Sequence, residues 1–491
     1  MERAAGILLS ISSLPSPYGI GTLGQAAYDF VDFLADAGQK YWQMLPVGPI
    51  SYGDSPYQSF STFAGNPYYI DLDTLIEDGL LTQKEVDGQD WGNDPRRTDY
   101  GAIYQARFPL LERAFDRGWE RDRKKTLDFA AKNREWLEDY ALYMALKRHF
   151  AMLPWTQWPE DIRLRRPAAV ARWRKELARD VDFFTYLQFL FQRQWEELKA
   201  YANEKDVKLI GDLPIYVAMD SADAWANPEN YQLDEDNVPA AVSGVPPDGF
   251  TADGQLWGNP LYNWDEMARK GFSWWKRRLK GVLARFDVVR IDHFRGLESY
   301  WSVPYGDKTA VGGHWEKGPG LAFIKMLHTN FPKATIIAED LGYLTPEVHE
   351  LLDASGYPGM KVLEFAFDDR EAGDYLPHKY PENCVCYAGT HDNDTVLGWM
   401  TTVAPESAAT AKRYLGLNRE EGYHWGMLRG GLCSPARLFV GQMQDYLGLG
   451  GWARMNTPGQ PSGNWRWRML PGEASPALAE KVRDLTRLFG R

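Results

Sequence analysis

Apolar positions along this chain alternate between short unbroken runs and spaced repeats, which is the pattern of strands followed by helices. Residues 7–14 are apolar and β-branched, and a Pro/Gly turn at 15–21 follows them. Apolar residues then recur at helical spacing, with Gly38 as a candidate helix cap: Ala27, Phe30, Val31 and Leu34. A second apolar strand is predicted at 41–47. This β-α-β opening predicts a parallel sheet.

Six further apolar runs of the strand type lie later in the chain. They are predicted at 207–217, 287–294, 335–341, 360–367, 383–389 and 438–443. Together with the first two they make eight strands separated by helical segments. Eight such strands favour a closed (β/α)8 barrel over an open doubly wound sheet. The prediction is therefore an α/β protein in which residues 1–491 form one TIM barrel with large inserted subdomains.

The predicted strands are unevenly spaced, and the long intervals locate two insertions. Residues 48–182, after the second strand, are predicted to form a mainly helical insertion, with helical patterns near 102–118 and 127–149. The helical stretch at 183–204 is assigned to the barrel itself. Residues 218–282, after the third strand, are rich in Trp, Pro, Gly and Asn. They predict a loop-rich lid over the barrel mouth.

Composition and charge exclude several classes of partner. The 491 residues are 44% hydrophobic, which suffices for a large core, and the net charge is −12. No Lys/Arg block is long enough to follow a phosphate backbone, and the basic stretch 276–280 is interpreted as a solvated helix face. No apolar stretch approaches membrane-spanning length. Neither nucleic acid nor a membrane is an expected partner.

The cysteines and the first residues of the chain indicate a cellular compartment. Cys384, Cys386 and Cys433 are the three cysteines, and they show neither a CxxC pair nor zinc-ligand spacing. They are interpreted as reduced thiols, as in a reducing compartment. Nothing before the first apolar run resembles a signal or transit peptide. We expect a cytoplasmic protein that is a monomer or a small homo-oligomer.

Aromatic residues are unusually abundant for a chain of low mean hydropathy. The chain has 20 Trp, 26 Tyr and 22 Phe, which make 14% of its residues, while the mean hydropathy is −0.46. Sugar rings present apolar C–H faces, and aromatic side chains offer flat surfaces with polar edges. This composition indicates carbohydrate binding.

Four of the predicted strands end in a carboxylate, and these acids are the main chemical signal of the sequence. They are Asp212, Asp292, Glu339 and Asp392. A single acid at a strand end often caps the next helix, but in a barrel all strand ends converge on one face. Converging acids repel one another, which lowers stability. Their clustering therefore indicates a chemical task. Glycosidic bond cleavage fits, because one carboxylate attacks or guides water while another protonates the leaving oxygen.

Neighbouring residues indicate which of these acids acts as nucleophile and which properties the general acid needs. Arg290 lies two residues before Asp292 and shares its strand face, so its guanidinium is expected to hold Asp292 ionised as a nucleophile. The general acid must carry a proton at neutral pH, which burial and an anionic neighbour favour by raising its pKa. Glu339 and Asp340 should point to opposite faces of their strand. Only one of them can line the barrel, and the pattern leaves open which.

Eight short motifs extend across nearly the whole chain. They lie at 55–61, 211–216, 247–250, 255–260, 290–296, 338–342, 389–395 and 463–465. Together they resemble the motifs of the amylomaltases, the disproportionating 4-α-glucanotransferase family of the α-amylase clan. The resemblance implies a retaining enzyme that transfers α-1,4-glucan segments by double displacement. It also implies that the donor would be a maltodextrin and the acceptor the 4-OH of another glucan or of glucose.

The resemblance also implies roles for individual residues. Asp292 would be the nucleophile, Glu339 rather than Asp340 the general acid/base, and Asp392 the third carboxylate, which stabilises an oxocarbenium-like transition state. It implies that Tyr57, Asp212, Arg290 and His391 hold the sugar at the cleavage point. The further implied substrate-binding residues are Gln255 and Trp257 over the donor, Phe365 and Asp368 near the acceptor, and Asn464.

Two other functions remain open from the sequence. One is an α-glucan hydrolase of the same clan, because hydrolysis and transfer share the covalent intermediate and differ in what attacks it. The other is a non-catalytic glucan-binding protein, which is disfavoured because binding alone does not require Asp292 and Glu339 together. The expected partners are maltodextrin, amylose, and starch- or glycogen-derived α-1,4-glucans. No metal or organic cofactor is expected, since no corresponding motif occurs.

Overall fold

The computed structural model describes residues 2–51, 53–247, 251–342, 344–367, 374–460 and 462–491. All eight predicted runs overlap a strand. The strands are β1 (Ala4–Leu8), β2 (Tyr41–Gln43), β3 (Lys208–Pro214), β4 (Ala241–Val245), β5 (Gln255–Pro260), β6 (Val288–Asp292), β7 (Ser299–Pro304), β8 (His314–Lys317), β9 (Thr335–Ala338), β10 (Gly359–Val362), β11 (Cys384–Tyr387) and β12 (Leu438–Gln442).

The helices lie between these strands and around them. They are α1 (Gln25–Asp36), α2 (Leu72–Glu77), α3 (Gln83–Asp87), α4 (Tyr100–Lys132), α5 (Arg134–His149), α6 (Glu160–Arg163), α7 (Pro167–Glu176), α8 (Ala178–Glu204), α9 (Ala222–Ala226), α10 (Trp264–Arg269), α11 (Ser273–Arg285), α12 (Gly320–Asn330), α13 (Pro346–Ser355), α14 (Val396–Thr402), α15 (Pro405–Leu415), α16 (Tyr423–Cys433), α17 (Met443–Tyr446) and α18 (Pro476–Leu488). Gly38 follows α1 with a φ of 70°, as its predicted role in the helix end requires.

Eight parallel strands form one sheet in the order β10-β11-β12-β1-β2-β3-β6-β9. Its two outer strands meet, because the Ala338 amide donates to the Pro358 carbonyl at 2.9 Å and the Met360 amide donates to the Asp340 carboxylate at 2.6 Å. The sheet therefore closes. The predicted (β/α)8 barrel is confirmed, and the open doubly wound sheet is excluded.

Several predicted strand runs were longer than the strands, and the first shows why. The run 7–14 overlaps β1 only at its start, and Ile11–Ser13 forms a short 3-10 helix. Leu9, Ile11 and Leu14 are nevertheless fully buried, because the loop beyond the strand packs into the core. An apolar run therefore marks burial, which continues past the last hydrogen bond of a strand.

The barrel wall separates two apolar layers. A small cluster fills the interior, including Ile210, Val288 and Ile337, while a larger cluster packs the outer face against the helices, including Val289 and Ile291. Successive side chains of a strand point to opposite faces, so each barrel strand contributes to both layers. This alternation fixes which residues reach the mouth of the barrel.

The helices and the second sheet that lie outside the barrel belong to long connections between barrel strands. Helices α2–α7 lie between β2 and β3, with α4 and α5 against α8. A separate antiparallel sheet has the order β5-β4-β7-β8. Its first two strands precede β6 and its last two follow it, so two connections build this sheet together. Among the described helices, none combines the length and apolar character needed to cross a membrane.

Candidate active site

Strand alternation carries three of the predicted site residues to the inner side of the barrel mouth. Val288 belongs to the interior cluster, so Arg290 and Asp292, two and four residues later, share its face. In the same way Ile337 lies inside, and Glu339 follows it two residues later. The mouth of the barrel therefore collects these charged groups at the ends of adjacent strands.

Asp340 lies on the other side of the wall. Ile336 and Ala338 belong to the outer layer, and the Asp340 carboxylate accepts the Met360 backbone amide at 2.6 Å. Burial raises the pKa of Asp340, with the Met360 hydrogen bond opposing. The choice that the sequence pattern left open is thus settled by geometry, since Glu339 lines the barrel and Asp340 supports the junction of β9 and β10.

Arg290 joins two of the carboxylates at the mouth. Its Nη1 donates to both oxygens of Asp212, at 2.7 and 2.8 Å, and to Asp292 Oδ1 at 2.8 Å. Tyr57 Oη donates to Asp212 Oδ2 at 2.6 Å. The side chains of Arg290 and Asp212 are only 4% and 0% exposed. Burial opposes the guanidinium charge, but Asp212 and Asp292 outweigh it and raise the pKa of Arg290.

Asp292 is subject to opposing influences. Burial raises the pKa of this carboxyl, Arg290 lowers it, and the anions Asp212, Glu339 and Asp392 raise it further, so the net direction is upward. The expected ion pair with Arg290 is present, but Arg290 alone does not set the charge of Asp292. Because Asp292 and Glu339 influence each other, they titrate as a pair rather than one by one.

Glu339 is held differently from Asp292. The backbone amides of His293 and Leu341 donate to its two oxygens, at 2.6 and 2.7 Å. Within the described part of the chain, no side-chain cation forms an ion pair with it. Burial raises its pKa, while Arg290 and the two amides act against the shift.

The amide of His293 reaches Glu339 through an unusual backbone conformation. His293 has a φ of 55° and a ψ of 47°, the left-handed region, which disfavours L residues by about 1–2 kcal/mol. Its ring is buried, and burial, with Arg295 nearby, lowers the pKa of the imidazole to about 3. The chain therefore turns sharply after Asp292, and that turn supplies a hydrogen bond to Glu339.

The last of the predicted carboxylates, Asp392, lies in the loop after β11. The rings of Tyr57 and His391 stack, with centroids 5.2 Å apart and planes at 15°. His391 Nε2 lies 3.4 Å from Asp392 Oδ2. Burial lowers the pKa of His391, so its ring is neutral at pH 7. Asp392 is the most open of the acids, with 45% of its side chain exposed.

Gln255 and Trp257 lie on β5 of the antiparallel sheet, next to the sharp turn at His293. Trp257 Nε1 donates to Gln255 Oε1 at 3.1 Å, and the Trp257 and His293 ring centroids are 4.8 Å apart at an interplanar angle of 83°. Tyr216, beyond β3, contacts the same two rings. The sheet thus places Trp257 against the His293 ring and Gln255 beside Trp257.

The remaining predicted residues lie farther from this cluster or cannot be located. Phe365 packs against the interior apolar cluster and edge-on against Tyr375, with centroids 5.6 Å apart. The Asn464 side chain accepts the Thr457 amide at 3.0 Å and donates to the Gln460 carbonyl at 3.1 Å, so it closes its own loop. Asp368 lies outside the described residues, as do three residues of the predicted motif at 247–250.

Two residues that touch Asp392 were not predicted from the sequence. Asn456 Nδ2 donates to Asp392 Oδ1 at 2.6 Å, and Arg454 Nη2 donates to the Asp392 carbonyl at 2.5 Å. The Asn456 amide also donates to the His391 carbonyl at 3.1 Å. Both residues lie more than 60 positions from Asp392, on irregular backbone. Hydrophobic periodicity gives no sign of such contacts.

Metal binding has no visible basis in the described residues. No group of three or more His, Cys, Asp or Glu side chains among them is arranged to hold an ion. The carboxylates at the mouth instead meet a guanidinium, a phenol, an amide side chain and backbone N–H groups. This arrangement suits chemistry by carboxylates acting directly.

Comparisons with known proteins agree with this geometry. The sequence model of the 4-alpha-glucanotransferase family matches residues 9–473. The 4-alpha-glucanotransferase of Thermus thermophilus is 49% identical, over 100% of this chain and 99% of its own length. That of Clostridium butyricum is 47% identical, over 98% and 100%. The solved amylomaltase of Streptococcus agalactiae in complex with acarbose has a TM-score of 0.97 and 39% identity, with both chains fully covered. The chain belongs to the 4-alpha-glucanotransferase family.

Proposed function

We propose that this chain transfers α-1,4-glucan segments by retaining double displacement, with Asp292 as nucleophile and Glu339 as general acid/base. The Asp292 carboxylate attacks C1 of the donor, and the bond to the leaving 4-oxygen breaks as Glu339 gives that oxygen its proton. The 4-OH of an acceptor then attacks C1 of the glycosyl-enzyme and returns its proton to Glu339. The observation that supports this most directly is the pairing of a guanidinium-bound Asp292 with an amide-bound Glu339 at one barrel mouth.

The different partners of the two acids support this division of roles. The pair shares burial and mutual repulsion, so it retains one proton to a higher pH than isolated carboxyls would. Arg290 donates a hydrogen bond to Asp292 and opposes the rise of its pKa, and we assign the proton that the pair retains to Glu339. Asp392 is hydrogen-bonded by Asn456 and partly solvated, and we assign it to stabilising positive charge at C1 in the transition state.

The surrounding residues supply the walls of the proposed sugar site. Tyr57 and His391 offer stacked rings, and Asp212 is fixed by Tyr57 and Arg290. We assign Gln255 and Trp257, with the insertion at 218–282, to a lid that excludes water and so favours transfer over hydrolysis. We also assign Phe365 and Asp368 to binding on the acceptor side, and Asn464 to substrate binding by the loop over the glucan.

The proposed substrates are maltodextrin, amylose, and starch- or glycogen-derived α-1,4-glucans, and the proposed location is the cytoplasm. The acarbose complex of the Streptococcus agalactiae amylomaltase supports a sugar-binding mouth in this fold. Cys384 and Cys386 are buried and Cys433 is exposed, and all three are free thiols, which suits a reducing compartment. The insertion at 48–182 is proposed to frame the mouth on the β2–β3 side.

Incubation with maltotriose tests the function. A transferase produces glucose and a ladder of longer maltodextrins while the number of reducing ends stays nearly constant. A hydrolase raises that number. A binding protein produces neither change. Asp292→Asn is the matched control, because it keeps the side-chain shape and removes the nucleophile. Exhaustive chelation belongs in the same assay, and activity that returns only with an added ion contradicts the metal-free mechanism.

A further inference from the structure

A large cavity extends from Tyr57 and Asp212, beside the barrel mouth, to the far side of the helical insertion. It has a volume of about 680 Å³, and its lining begins at Tyr57 and Asp212. It then passes the loop after β2 and ends between α4, α5, α8 and α11, where Lys125 and Lys132 lie at the surface. Ligand sites in proteins typically have volumes of about 300–1,000 Å³, so this space is large enough for one. The mechanism proposed above does not use its outer half.

The outer half of the cavity is walled by aromatic side chains that are only partly buried. Phe63, Phe129, Trp136 and Phe189 line it. The rings of Phe63 and Trp136 lie nearly parallel, with planes at 12° and centroids 6.1 Å apart. Partly exposed flat rings next to polar side chains match the apolar C–H faces and hydroxyl rims of sugars. Asn133, Gln192 and Glu196 supply polar groups along the same lining.

The charges of the lining favour a neutral ligand. The guanidinium of Arg278 donates to the carbonyls of Pro214 and Ile215, and that of Arg285 donates to the carbonyls of Phe63 and Ala64. Arg193 donates to Asp78 at 2.5 Å. These cations therefore have structural partners, and acids such as Asp128 and Glu196 accompany the lysines in the lining. An anionic ligand would meet no excess of positive charge here.

Gly281 leaves one edge of this cavity open. It lies within α11, where glycine is less favourable than alanine by about 1 kcal/mol. A Cβ built at this position would lie 3.7 Å from a Phe63 ring carbon, which is an ordinary contact. Alanine therefore fits without strain, whereas a phenylalanine side chain would extend into the space beside Phe63. The position allows the groove to be blocked without altering the catalytic carboxylates.

We propose that the outer half of this cavity, defined by Phe63, Phe129, Trp136, Phe189 and Gly281, is a second binding site for a short neutral α-glucan segment. The inference rests on the proposed function, since it takes the same class of substrate. A glucan held there keeps the polymer close to the catalytic residues and raises its local concentration at the mouth. Long glucans benefit more than short ones, because only they can occupy both sites at once.

Binding stoichiometry tests this proposal directly. Isothermal titration of the Asp292→Asn protein with maltotriose, which that protein cannot turn over, should show one binding event in addition to those of the donor and acceptor sides. Adding Gly281→Phe should remove one event, and adding Gly281→Ala should remove none. An equal number of events in all three proteins overturns the second site. Transfer activity that persists in Asp292→Asn overturns the proposed mechanism instead, so the two failures are distinguishable.

Kinetics on two substrate lengths supply the second test. In the otherwise unaltered enzyme, Gly281→Phe should raise the KM for long amylose by at least about threefold relative to Gly281→Ala, as expected when a second contact is lost. Trp136→Ala should act in the same direction. A melting temperature for each variant identifies unfolding. An equal loss of kcat on maltotriose and amylose shows that the substitution acts on the catalytic centre, and it overturns the proposal.

Discussion

Two groups of buried or partly buried carboxylates lie near the barrel mouth, and they differ in what balances their charge. In the catalytic group, Arg290 donates to Asp212 and Asp292. The second group, which we call the distal cluster, consists of Glu364, Asp394 and Asp445. Asp445 Oδ1 accepts the Val396 amide at 2.7 Å, but Glu364 Oε1 and Asp445 Oδ2 are buried without a hydrogen-bond partner among the described groups.

The pKa shifts show the consequence of this difference. Burial raises the pKa of Asp445 to about 7, against the hydrogen bond from Val396, and Asp394 adds to the rise. Burial also raises the pKa of Glu364 well above its ordinary value, helped by Asp445 and Asp394. Burial therefore favours the protonated forms of Glu364 and Asp445. In the catalytic group Arg290 opposes this rise, although burial and the neighbouring anions still leave the pKa of Asp292 raised.

Removing either catalytic carboxylate should have the largest effect. Asp292→Asn and Glu339→Gln are each expected to lower the transfer rate by at least about 100-fold, since a general acid alone typically contributes 10²–10⁴-fold. Both substitutions preserve shape, so circular dichroism and melting temperature should show a folded protein. A folded variant that retains a larger share of the rate contradicts the assigned role.

Removing the guanidinium should make the catalytic group resemble the distal cluster. In the wild-type enzyme, kcat/KM should rise as the Asp292–Glu339 pair loses its first proton and fall as it loses its second. Because both pKa values are raised, the acid limb should lie above the ordinary Asp value of about 3.9. Arg290→Met should shift that limb to still higher pH and lower the rate.

Arg290→Met also carries a cost in stability, which requires a control. Breaking a buried ion pair typically destabilises a protein by about 3–5 kcal/mol. Arg285→Met removes another guanidinium, one that donates to the carbonyls of Phe63 and Ala64, so it should lower the melting temperature without moving the pH profile. An acid limb that stays in place in Arg290→Met shows that Arg290 does not maintain the Asp292 anion.

Loss of the Asn456 hydrogen bond should have a smaller effect. Asn456→Ala leaves Asp392 without its 2.6 Å donor, and hydrogen bonds to charged groups contribute about 1.5–3 kcal/mol. We expect kcat to fall by about tenfold or more with little change in KM, because the support for Asp392 matters most in the transition state. Asn464→Ala is the comparison, and it should act mainly on KM. An increase in KM alone for Asn456→Ala assigns Asn456 to substrate binding instead.

The smallest effect is expected in the distal cluster and concerns stability. Asp445 has a folded pKa of about 7 against an ordinary value of 3.8, so the folded state binds the extra proton between these values. Stability should therefore fall as pH rises through this window. Asp445→Asn does not titrate and can still accept the Val396 amide. Its melting temperature relative to wild type should be higher at pH 8 than at pH 5, and an unchanged difference contradicts the assignment.

Sequence patterns predicted the barrel and its charged strand ends for a common physical reason. Each barrel strand has one face toward the interior apolar layer and the other toward the outer apolar layer. Its residues therefore form a continuous apolar run in the sequence, which ends where the chain reaches the mouth. Arg290 and Asp292 share a face because the strand period is two. The same period placed Glu339 inside the barrel once Ile337 was known to be inside.

Other parts of the site were not predictable, because their contacts join distant segments of irregular backbone. Asn456 reaches Asp392 across 64 positions, and β7 pairs with β4 across the intervening β6. The distal cluster was also invisible from the sequence, since Glu364, Asp394 and Asp445 belong to three different connections. Composition indicated the aromatic surfaces but could not separate buried rings from those that line a groove.

The sharp turn at His293 has a consequence for redesign of this enzyme. The peptide unit that follows Asp292, the proposed nucleophile, donates to Glu339, the proposed acid/base, so a backbone hydrogen bond ties the positions of the two residues to each other. Engineering for new chain lengths should keep the junction of β6 and β9 and the contact of Trp257 with His293 intact, and confine its changes to other parts of the insertions.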